Sequence, residues 1–569
     1  MGNTCSETDT KQHSEKQESG LSSTTVPLRD EERQQDVASP RTRFVVARRS
    51  QLREGEMREV DVGDSKALLV CQNGRVTAIG HKCTHYGAPL VKGALGNGRV
   101  RCPWHGACFN VITGDIEDFP GLDGVSSFEV VVDADNVIIE TPSDAPNTHK
   151  RTLPMVKQDL QNDSRVFLLI GGGGASVSCA ETLRQQGFKG RIIIASKETD
   201  FPYDRPKLTK AMSATGKELQ LRSPEFFLSF DIEVQLSKEV TGIDLSTKTA
   251  QFSDHTSVSY DKVLIATGGI PRSLNIAGSH LKNIYVLRTP QQANDIISSC
   301  VGKNVVIIGS SFISMESAAT LSSKASSVTV VGRSKTPFAQ VLGEQVGQAL
   351  LKMHKEKGNK FVFGMTPTEF VGDDDQLTGV TLSNGQTLAA DICLIGAGVV
   401  ASTDFLKGSG VPMTSEGYII VDEGMKAMDN VFSAGDIAYF PLPWAGQSVN
   451  IGHWQIAHSH GRVAAKAMLG KDVQFDSIPF FWSQMFGKSI RYCGYAQSFD
   501  DVVIDGSLDE LKFAAYYISG ETIHAVAAMN RDPLVSQVAE LMYANKMPPT
   551  SLIRDDPAGW LKQYFPTEN

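Results

Sequence analysis

The hydrophobic and polar positions of this chain fall into two patterns. Between about 43 and 142, short apolar runs alternate with polar residues and are separated by turns such as "CQNGRV" and "DADNVIIE". Short alternating runs bounded by Gly and Asn predict a small all-β module. From about 165 the pattern changes to apolar strands, each followed by a helical stretch, which indicates α/β doubly wound domains.

One unit occurs twice within the α/β region. The segments "VFLLIGGGGASVSCAETLRQQG" and "NVVIIGSSFISMESAATLSSKA" both run from a buried strand through a turn of small residues into a helix. Near the end of the chain, "LKFAAYYIS" and "HAVAAMN" alternate like antiparallel strands. The predicted fold class is therefore a multidomain chain, with an N-terminal all-β module, two Rossmann-type α/β domains and a small α+β C-terminal domain.

Composition and charge exclude several classes of protein. The chain has 569 residues and a net charge of −9, which provides no basic face for nucleic acid. No apolar run approaches the roughly 18 residues of a membrane-spanning helix. The start of the chain also has no apolar h-region of a signal peptide, which argues against secretion. The nine cysteines are an odd number and are scattered, which indicates a reducing compartment and no disulfide framework.

The first six residues, "MGNTCS", fit a lipidation pattern. Gly2 follows the initiator Met and Ser6 stands where N-myristoylation requires Ser or Thr, while Cys5 is available for a palmitoyl chain. Two acyl chains anchor a protein where one binds reversibly, so we expect peripheral contact with the cytoplasmic face of membranes. The alternative is a hydrophilic tail that matches the pattern by chance.

The β module contains two Cys–His pairs in "CTHYGAPLVKGALGNGRVRCPWHGACF". They are Cys83 with His85 and Cys102 with His105. Two thiolates and two imidazoles are the ligand set of a Rieske [2Fe–2S] cluster, with both Cys on one iron and both His on the other. A Cys₂His₂ zinc site is the alternative. The repeated Cys–His order in a strand-and-turn context favours the cluster, and the segment resembles the Rieske ferredoxin family.

The first strand–turn–helix unit predicts a dinucleotide site. Four glycines follow the strand directly and open a helix, so the backbone can approach a pyrophosphate at the helix N-terminus. These residues are Gly171, Gly172, Gly173 and Gly174. Ser176 replaces the third glycine of the usual pattern, and such a turn alone is weak support for a nucleotide site.

Three further segments resemble the flavoprotein pyridine-nucleotide reductases. "FPYDRPKLTK", "YDKVLIATGG" and "NVFSAGDIAYF" occur in the order and spacing of that family. The resemblance implies an FAD cofactor, whose ribose would be bound by a carboxylate after the second strand. The residues it assigns to FAD are Glu198, Arg205, Lys210, Thr267, Gly268, Gly435 and Asp436. Because the chain has no C-x-x-C pair, we do not expect a dithiol acceptor.

The second strand–turn–helix unit predicts a nicotinamide nucleotide site with unusual residues. Gly309 is kept at the turn, whereas Ser311 and Ser314 occupy positions that are normally Gly. No carboxylate ends the next strand, and Arg333 follows it, which favours NADPH over NADH. A working site of altered affinity and a disabled site both remain open.

The reductase resemblance assigns further residues around the flavin and the nicotinamide. It implies that Glu316 pairs with Lys210, and we take these two as the catalytic candidates. It also places Gly396 and Gly398 of "DICLIGAG" beside the nucleotide, and two aromatic residues near the rings. These are Trp454 and Trp482, for which ordinary core packing is the alternative.

Taken together, the motifs from about 43 to 565 resemble the apoptosis-inducing factor family, in particular its Rieske-bearing branch. The predicted order is a disordered tail (1–42), a Rieske domain (43–142), a linker (143–164), a divided FAD domain (165–288 and 416–474), an NAD(P)H domain (289–415) and a C-terminal domain (475–569).

The resemblance implies an oxidoreductase that passes electrons from NADPH or NADH through FAD to its own [2Fe–2S] cluster. An unknown acceptor would then dock near His85 and His105. It also suggests association with mitochondria and a role in apoptosis. The alternatives are a redox sensor with a degenerate nicotinamide site, and a pro-apoptotic interaction protein.

Overall fold

The computed structural model describes residues 41–142 and 150–565. The lipidation prediction at Gly2 and Cys5 therefore lies outside the described residues, as does most of the predicted tail. The first strand begins at Arg41, two residues inside the segment predicted as tail, because its backbone pairs with the last strand of the β module.

The N-terminal module is formed by two antiparallel sheets. One has the strand order β1-β10-β9-β4-β3-β2 and the other the order β5-β6-β7-β8. Its strands are β1 (Arg41–Arg48), β2 (Met57–Val62), β3 (Ser65–Gln72), β4 (Arg75–Gly80), β5 (Ala94–Leu95), β6 (Arg99–Arg101), β7 (Cys108–Asn110), β8 (Ile116–Asp118), β9 (Ser127–Asp133) and β10 (Asn136–Pro142). Strand β3 is buried on both faces: Leu68 and Val70 pack towards the second sheet, while Ala67 and Leu69 pack into a separate core.

The first α/β unit follows the N-terminal module. Its elements are β11 (Val166–Ile170), α1 (Gly174–Gln185), β12 (Arg191–Ala195), α2 (Pro224–Ser229), β13 (Ile232–Gln235), β14 (Val240–Asp244), β15 (Thr249–Phe252), β16 (Ser257–Ser259), β17 (Lys262–Ile265) and β18 (Gly269–Pro271). Strands β14, β15 and β16 form a small antiparallel sheet beside the main one.

The second α/β unit has a parallel sheet of order β19-β26-β20-β21-β22. Its elements are β19 (Ile284–Tyr285), α3 (Pro290–Ser299), β20 (Asn304–Ile308), α4 (Phe312–Leu321), β21 (Ser327–Gly332), α5 (Ala339–Glu356), β22 (Lys360–Phe363), β23 (Pro367–Asp373), β24 (Gln376–Leu382), β25 (Thr387–Ala389), β26 (Ile392–Ile395) and β27 (Val399–Ala401). The central strands are continuous apolar runs because both of their faces are covered.

The chain then returns to complete the first unit. It adds β28 (Ile419–Ile420), β29 (Lys426–Met428), β30 (Val431–Ser433), β31 (Ala438–Leu442), β32 (Gln447–Val449) and α6 (Trp454–Met468). The completed sheet has the order β13-β12-β11-β17-β30-β29, so the second unit is an insertion in the first. Helix α6 packs closely on α1, where a Cβ added at Gly461 would lie 2.1 Å from the carbonyl oxygen of Ala175.

The C-terminal part is a five-stranded antiparallel sheet with helices. Its elements are β33 (Phe480–Met485), β34 (Lys488–Gly494), β35 (Asp501–Ser507), β36 (Lys512–Ser519), β37 (Thr522–Met529), α7 (Leu534–Tyr543) and α8 (Thr550–Asp555), and the strand order is β33-β34-β37-β36-β35. This architecture confirms the predicted fold class. None of the helices in the described parts of the chain combines the length and the apolarity needed to cross a bilayer.

Candidate functional site

The two Cys–His segments form loops of nearly identical backbone geometry. Cys83 N–H donates to the carbonyl of Ala88 at 2.9 Å, and Cys102 N–H donates to the carbonyl of Ala107 at 2.8 Å. A glycine at φ +78° turns each loop just after its histidine. Because β4 leads into one loop and β6 into the other, the two pairs face each other across the tip of the module.

The four candidate ligands meet as two pairs. The Nδ1 atoms of His85 and His105 lie 3.1 Å apart, and the thiols of Cys83 and Cys102 are in hydrogen-bond contact. Burial lowers the pKa of His85 to about 3 and also lowers that of His105, so both imidazoles are neutral and can bind a metal. Both thiols are buried, whereas the imidazoles are half-buried.

This division fits a [2Fe–2S] cluster better than a zinc ion. A zinc site needs its four ligands around one centre, whereas a Rieske cluster takes two thiolates on one iron and two imidazoles on the other. The two pairs supply that arrangement.

Aromatic side chains surround the two imidazoles. The ring of Trp482, from β33, lies 4.3 Å from that of His105, and the ring of Tyr86 stacks on His85 at 3.8 Å. A cleft of about 470 Å³ opens beside them, and Trp104, Lys207, Lys210 and Arg491 are among its lining residues. The histidine edge of the module therefore faces the rest of the chain across an open cleft.

The first glycine-rich turn has the geometry of a pyrophosphate cradle. A Cβ added at Gly171 would lie 2.2 Å from the carbonyl oxygen of Ala266, so a side chain is excluded there. At Gly173, by contrast, an added Cβ would meet no atom of the described residues within 4 Å, which leaves the N-terminus of α1 open. The other predicted glycines are Gly172, which abuts Ser196, and Gly174, which abuts His458. The turn fits the phosphates of FAD.

The predicted ribose carboxylate is held by two neighbouring side chains. Glu198 accepts hydrogen bonds from Arg205 at 3.0 Å and from the hydroxyl of Tyr203 at 2.7 Å. Lys197, the residue before it, instead points towards exposed Glu239. Arg205 also donates to the backbone carbonyl of Arg288, which connects the β12 end to the loop before α3. Tyr203 and Arg288 were missed by sequence reasoning, because only the fold brings them to Glu198.

The remaining predicted FAD residues line the same side of the sheet. Thr267 donates its hydroxyl proton to the carbonyl of Ser402 at 2.7 Å, and a Cβ at Gly268 would lie 2.6 Å from the guanidinium of Arg288. Gly435 begins a 3-10 turn and donates its N–H to Nδ1 of His460 at 3.2 Å. Asp436 follows it, half-buried and within electrostatic reach of Arg205 and Arg288.

Glu316 joins three parts of the chain. Its carboxylate accepts from Lys210 Nζ at 2.7 Å, from the Thr209 hydroxyl at 2.5 Å and from the Ser483 hydroxyl at 2.8 Å. Lys210 and Thr209 belong to the first unit, Glu316 to α4 of the second, and Ser483 to β33. The structure thus brings the two catalytic candidates together, and it adds Ser483, which the neighbouring Trp482 in "FWSQ" could have signalled.

The second nucleotide loop accommodates both serines. Gly309 turns it at φ +104°, and Ser311 is the exposed N-cap of α4, with no capping hydrogen bond from its side chain to the described residues. Ser314 is 1% exposed and points at Gly396, where an added Cβ would lie only 2.0 Å from the Ser314 oxygen. Gly396 therefore makes room for Ser314, so the helix packs on the sheet without the usual third glycine.

The other predicted nucleotide residues lie around that loop. Arg333 is exposed directly after β21, and the neighbouring Gly332 abuts the Ser310 hydroxyl of the loop. Gly398 accepts a hydrogen bond from Arg272 N–H at 2.9 Å. Trp454 begins α6, and its ring lies 4.7 Å from that of His458, which abuts Gly174 of the first glycine-rich turn.

Buried polar contacts fix the N-terminal module against the reductase part. Arg222 bridges Asp123 of the module and Glu181 of α1, at 2.8 and 2.9 Å. On the cluster side, Arg491 donates to the carbonyl of Trp104 at 2.8 Å, and the hydroxyl of Tyr86 donates to Asp204. These contacts hold the imidazole pair next to the loop that carries Lys210.

Comparison with known families agrees with this architecture. Residues 42–129 match the Rieske [2Fe-2S] domain, residues 166–461 match pyridine nucleotide-disulphide oxidoreductase, and residues 480–565 match the reductase C-terminal domain. The sequence is 45% identical to human apoptosis-inducing factor 3, over 87% of this chain and 83% of the relative. It is 30% identical to rhodocoxin reductase of Rhodococcus erythropolis, over 68% of this chain and 90% of the relative.

Solved structures of similar fold are reductases. A ferredoxin reductase for the CYP199A2 system from Rhodopseudomonas palustris aligns with a TM-score of 0.66 and 28% identity, covering 68% of this chain and 96% of that one. The covalent putidaredoxin reductase–putidaredoxin complex aligns with a TM-score of 0.65 and 26% identity, covering 69% and 96%.

Proposed function

The chain belongs to the pyridine nucleotide-disulphide oxidoreductase family, in the Rieske-bearing branch that includes apoptosis-inducing factor 3, and on that premise we propose that it passes electrons from NAD(P)H to its own Rieske cluster and onward to a separate one-electron acceptor. It is a ferredoxin-reductase-like oxidoreductase with FAD and a [2Fe–2S] cluster. When bound, FAD would supply acceptance of a hydride from the nicotinamide, and the cluster would supply one-electron transfer.

One observation supports the intramolecular route. His105, Trp482 and Lys210 line the same cleft, so the imidazole edge of the cluster site and the flavin-side loop are neighbours within one chain. In the solved putidaredoxin reductase–putidaredoxin complex, the reductase and its partner are two separate proteins. Here a Rieske module is part of the same chain and is held in place by buried ion pairs.

The residues of this chain have three tasks in that reaction. The glycine turns at Gly171 and Gly309 bind the two dinucleotides through backbone N–H groups. The Lys210–Glu316 pair orients the flavin-side loop relative to the nucleotide helix α4. Cys83, His85, Cys102 and His105 would hold the cluster, and the ring of Trp482 packs against that of His105.

The experiment that tests this proposal is an anaerobic titration of the purified protein with NADPH and then NADH. Flavin absorbance and the EPR signal of the reduced cluster are followed together. Loss of flavin absorbance and growth of a Rieske signal in the same titration support the proposal. Reduction of both centres by dithionite, but by neither nucleotide within minutes, contradicts it.

That second outcome would favour the other candidate, a redox sensor with a degenerate nicotinamide site. The observation behind it is Ser311, whose side chain stands at the N-terminus of α4, where a pyrophosphate approaches. The remaining alternative is a pro-apoptotic interaction protein whose cofactors are chiefly structural. In that case Cys83→Ser should leave cell-death activity intact, and loss of that activity would argue against it.

We also propose that Gly2 is myristoylated and Cys5 palmitoylated, which would hold the protein on the cytoplasmic face of membranes, mitochondria among them. The support is the "MGNTCS" pattern alone. Labelling of cells with an alkyne-tagged myristate should mark the wild type and not Gly2→Ala. Equal labelling of both proteins, or none of either, would refute acylation at Gly2.

A further inference from the structure

Helix α7 of the C-terminal domain presents one face to the N-terminal module. Ser536, Glu540 and Tyr543 follow each other at spacings of four and three residues, so they lie on the same side of the helix. The Ser536 hydroxyl donates to the carbonyl of Cys102 at 2.9 Å, and the guanidinium of Arg99 lies 3.5 Å from the centre of the Tyr543 ring. The helix thus contacts the loop that carries two of the four cluster ligands.

Glu540 is inserted into the module between two buried arginines. It accepts from Arg101 Nε at 2.6 Å and from Arg99 Nε at 2.9 Å, and the three side chains are between 0% and 7% exposed. The fit is close, because a Cβ added at Gly96 would lie 2.0 Å from the Glu540 carboxylate. Although burial alone would raise it, the pKa of Glu540 is held below its ordinary value by Arg101 and Arg99.

Arg101 carries the effect of Glu540 to the cluster loop. It precedes Cys102, and its Nη1 donates to the carbonyl of Gly106, the residue after His105, at 2.8 Å. It also pairs with Asp118 at 3.2 Å. Two arginines and two carboxylates therefore form a neutral buried group directly behind the second ligand loop. Removing the charge of Glu540 would leave one uncompensated positive charge there.

We propose that Glu540 and Ser536 are positioning residues of the iron–sulfur site, so that the reduction potential of the cluster and its retention depend on the docked C-terminal helix. The proposal rests on the presence of the [2Fe–2S] cluster and is independent of whether NAD(P)H is the donor. One-electron reduction adds negative charge to the cluster, so an uncompensated Arg101 should favour the reduced state.

The test is a mediated redox titration of the purified holoprotein with dithionite, followed by EPR, for the wild type and three variants. Glu540→Gln removes the charge and should raise the midpoint potential of the cluster. Glu540→Asp keeps the charge and should restore the potential towards the wild type. The control is Asp505→Asn, which removes a carboxylate paired with Arg531 inside the C-terminal domain and should leave the potential unchanged.

If Glu540→Gln does not fold, iron release from Ser536→Ala tests the same contact between α7 and the cluster loop. Ser536→Ala removes one hydroxyl, and its iron should be lost to a chelator faster than that of the wild type, at equal FAD content. An unshifted midpoint potential in Glu540→Gln would overturn the proposal. If Glu540→Gln does not fold, iron release from Ser536→Ala at the wild-type rate would overturn it. Since dithionite supplies the electrons, failure of NAD(P)H oxidation would not affect either result.

Discussion

Glu316 is the point where the flavin-side loop, the nucleotide helix α4 and strand β33 are joined, so its substitution should destabilise all three contacts together. The side chain of Glu316 is 9% exposed and that of Lys210 25%. In Glu316→Ala, Lys210, Thr209 and Ser483 would each lose a partner in a largely buried setting. Breaking a buried ion pair costs about 3–5 kcal/mol, and the partial exposure of Lys210 places this case at the lower end.

Glu316→Gln is a smaller change, because it keeps the shape and most of the hydrogen bonds. Its amide oxygen can accept from Lys210 and Thr209, and its NH₂ group can donate to the Ser483 oxygen. Only the charge is lost, so the expected cost is about 1–2 kcal/mol. The matched surface control is Asp509→Asn. It removes an ion pair between Lys352 and the Asp509 carboxylate, which is 85% exposed, and should leave the stability close to that of the wild type.

The assay is thermal release of FAD, followed by flavin fluorescence of the holoprotein. A loss of about 3 kcal/mol in the free energy of unfolding lowers the midpoint temperature of FAD release by roughly 10 °C for a domain of about 150–250 residues. The expected order of midpoints is wild type and Asp509→Asn highest, Glu316→Gln intermediate and Glu316→Ala lowest. If Glu316→Ala has the same midpoint temperature as Asp509→Asn, the Glu316 carboxylate does not hold the three parts of the chain together, and the reasoning is wrong.

Three further predictions follow from the nucleotide domain. Ser311→Gly should lower the KM for NADPH, because it removes an exposed side chain at the N-terminus of α4, where the phosphates would approach. Ser314→Gly should leave KM unchanged and cost about 1 kcal/mol for glycine within α4; equal effects of the two on KM would contradict the loop geometry. Arg333→Ala should lower the ratio of kcat/KM for NADPH to kcat/KM for NADH by about tenfold, or about 1.4 kcal/mol. The control Lys357→Ala, at the C-terminal end of α5, should leave this ratio unchanged. Burial lowers the pKa of His354 from 6.5 to about 4, so the unfolded chain binds a proton first and stability falls as the pH drops from 6.5 towards 4. In acid denaturation, His354→Gln should reduce the slope of the free energy of unfolding against pH by at most about 1.4 kcal/mol per pH unit. An unchanged slope would refute a buried neutral imidazole.

The strand–turn–helix repeats were predictable because glycine turns leave a direct mark on the sequence. Gly171 and Gly309 stand where a side chain would collide with a neighbouring backbone carbonyl, and the structure has such a contact at both. The same holds for the cluster ligands, since two short segments carry all four of them. The accommodation of Ser314 could not be predicted, because the residue that makes room for it, Gly396, follows β26 and lies 82 residues later in the chain.

By itself, the sequence determined the fold class, the order of the modules, and the residue types at the cluster and at both dinucleotide turns. These features are local: they depend on alternation, on glycine at tight turns and on ligands a few residues apart. Only the tertiary structure decided that Glu316 meets Ser483, that the imidazole edge faces the flavin-side loop, and that Glu540 reaches Arg101. Those contacts join residues far apart in the chain, and their buried charges are stable only because the fold supplies the partner that replaces water.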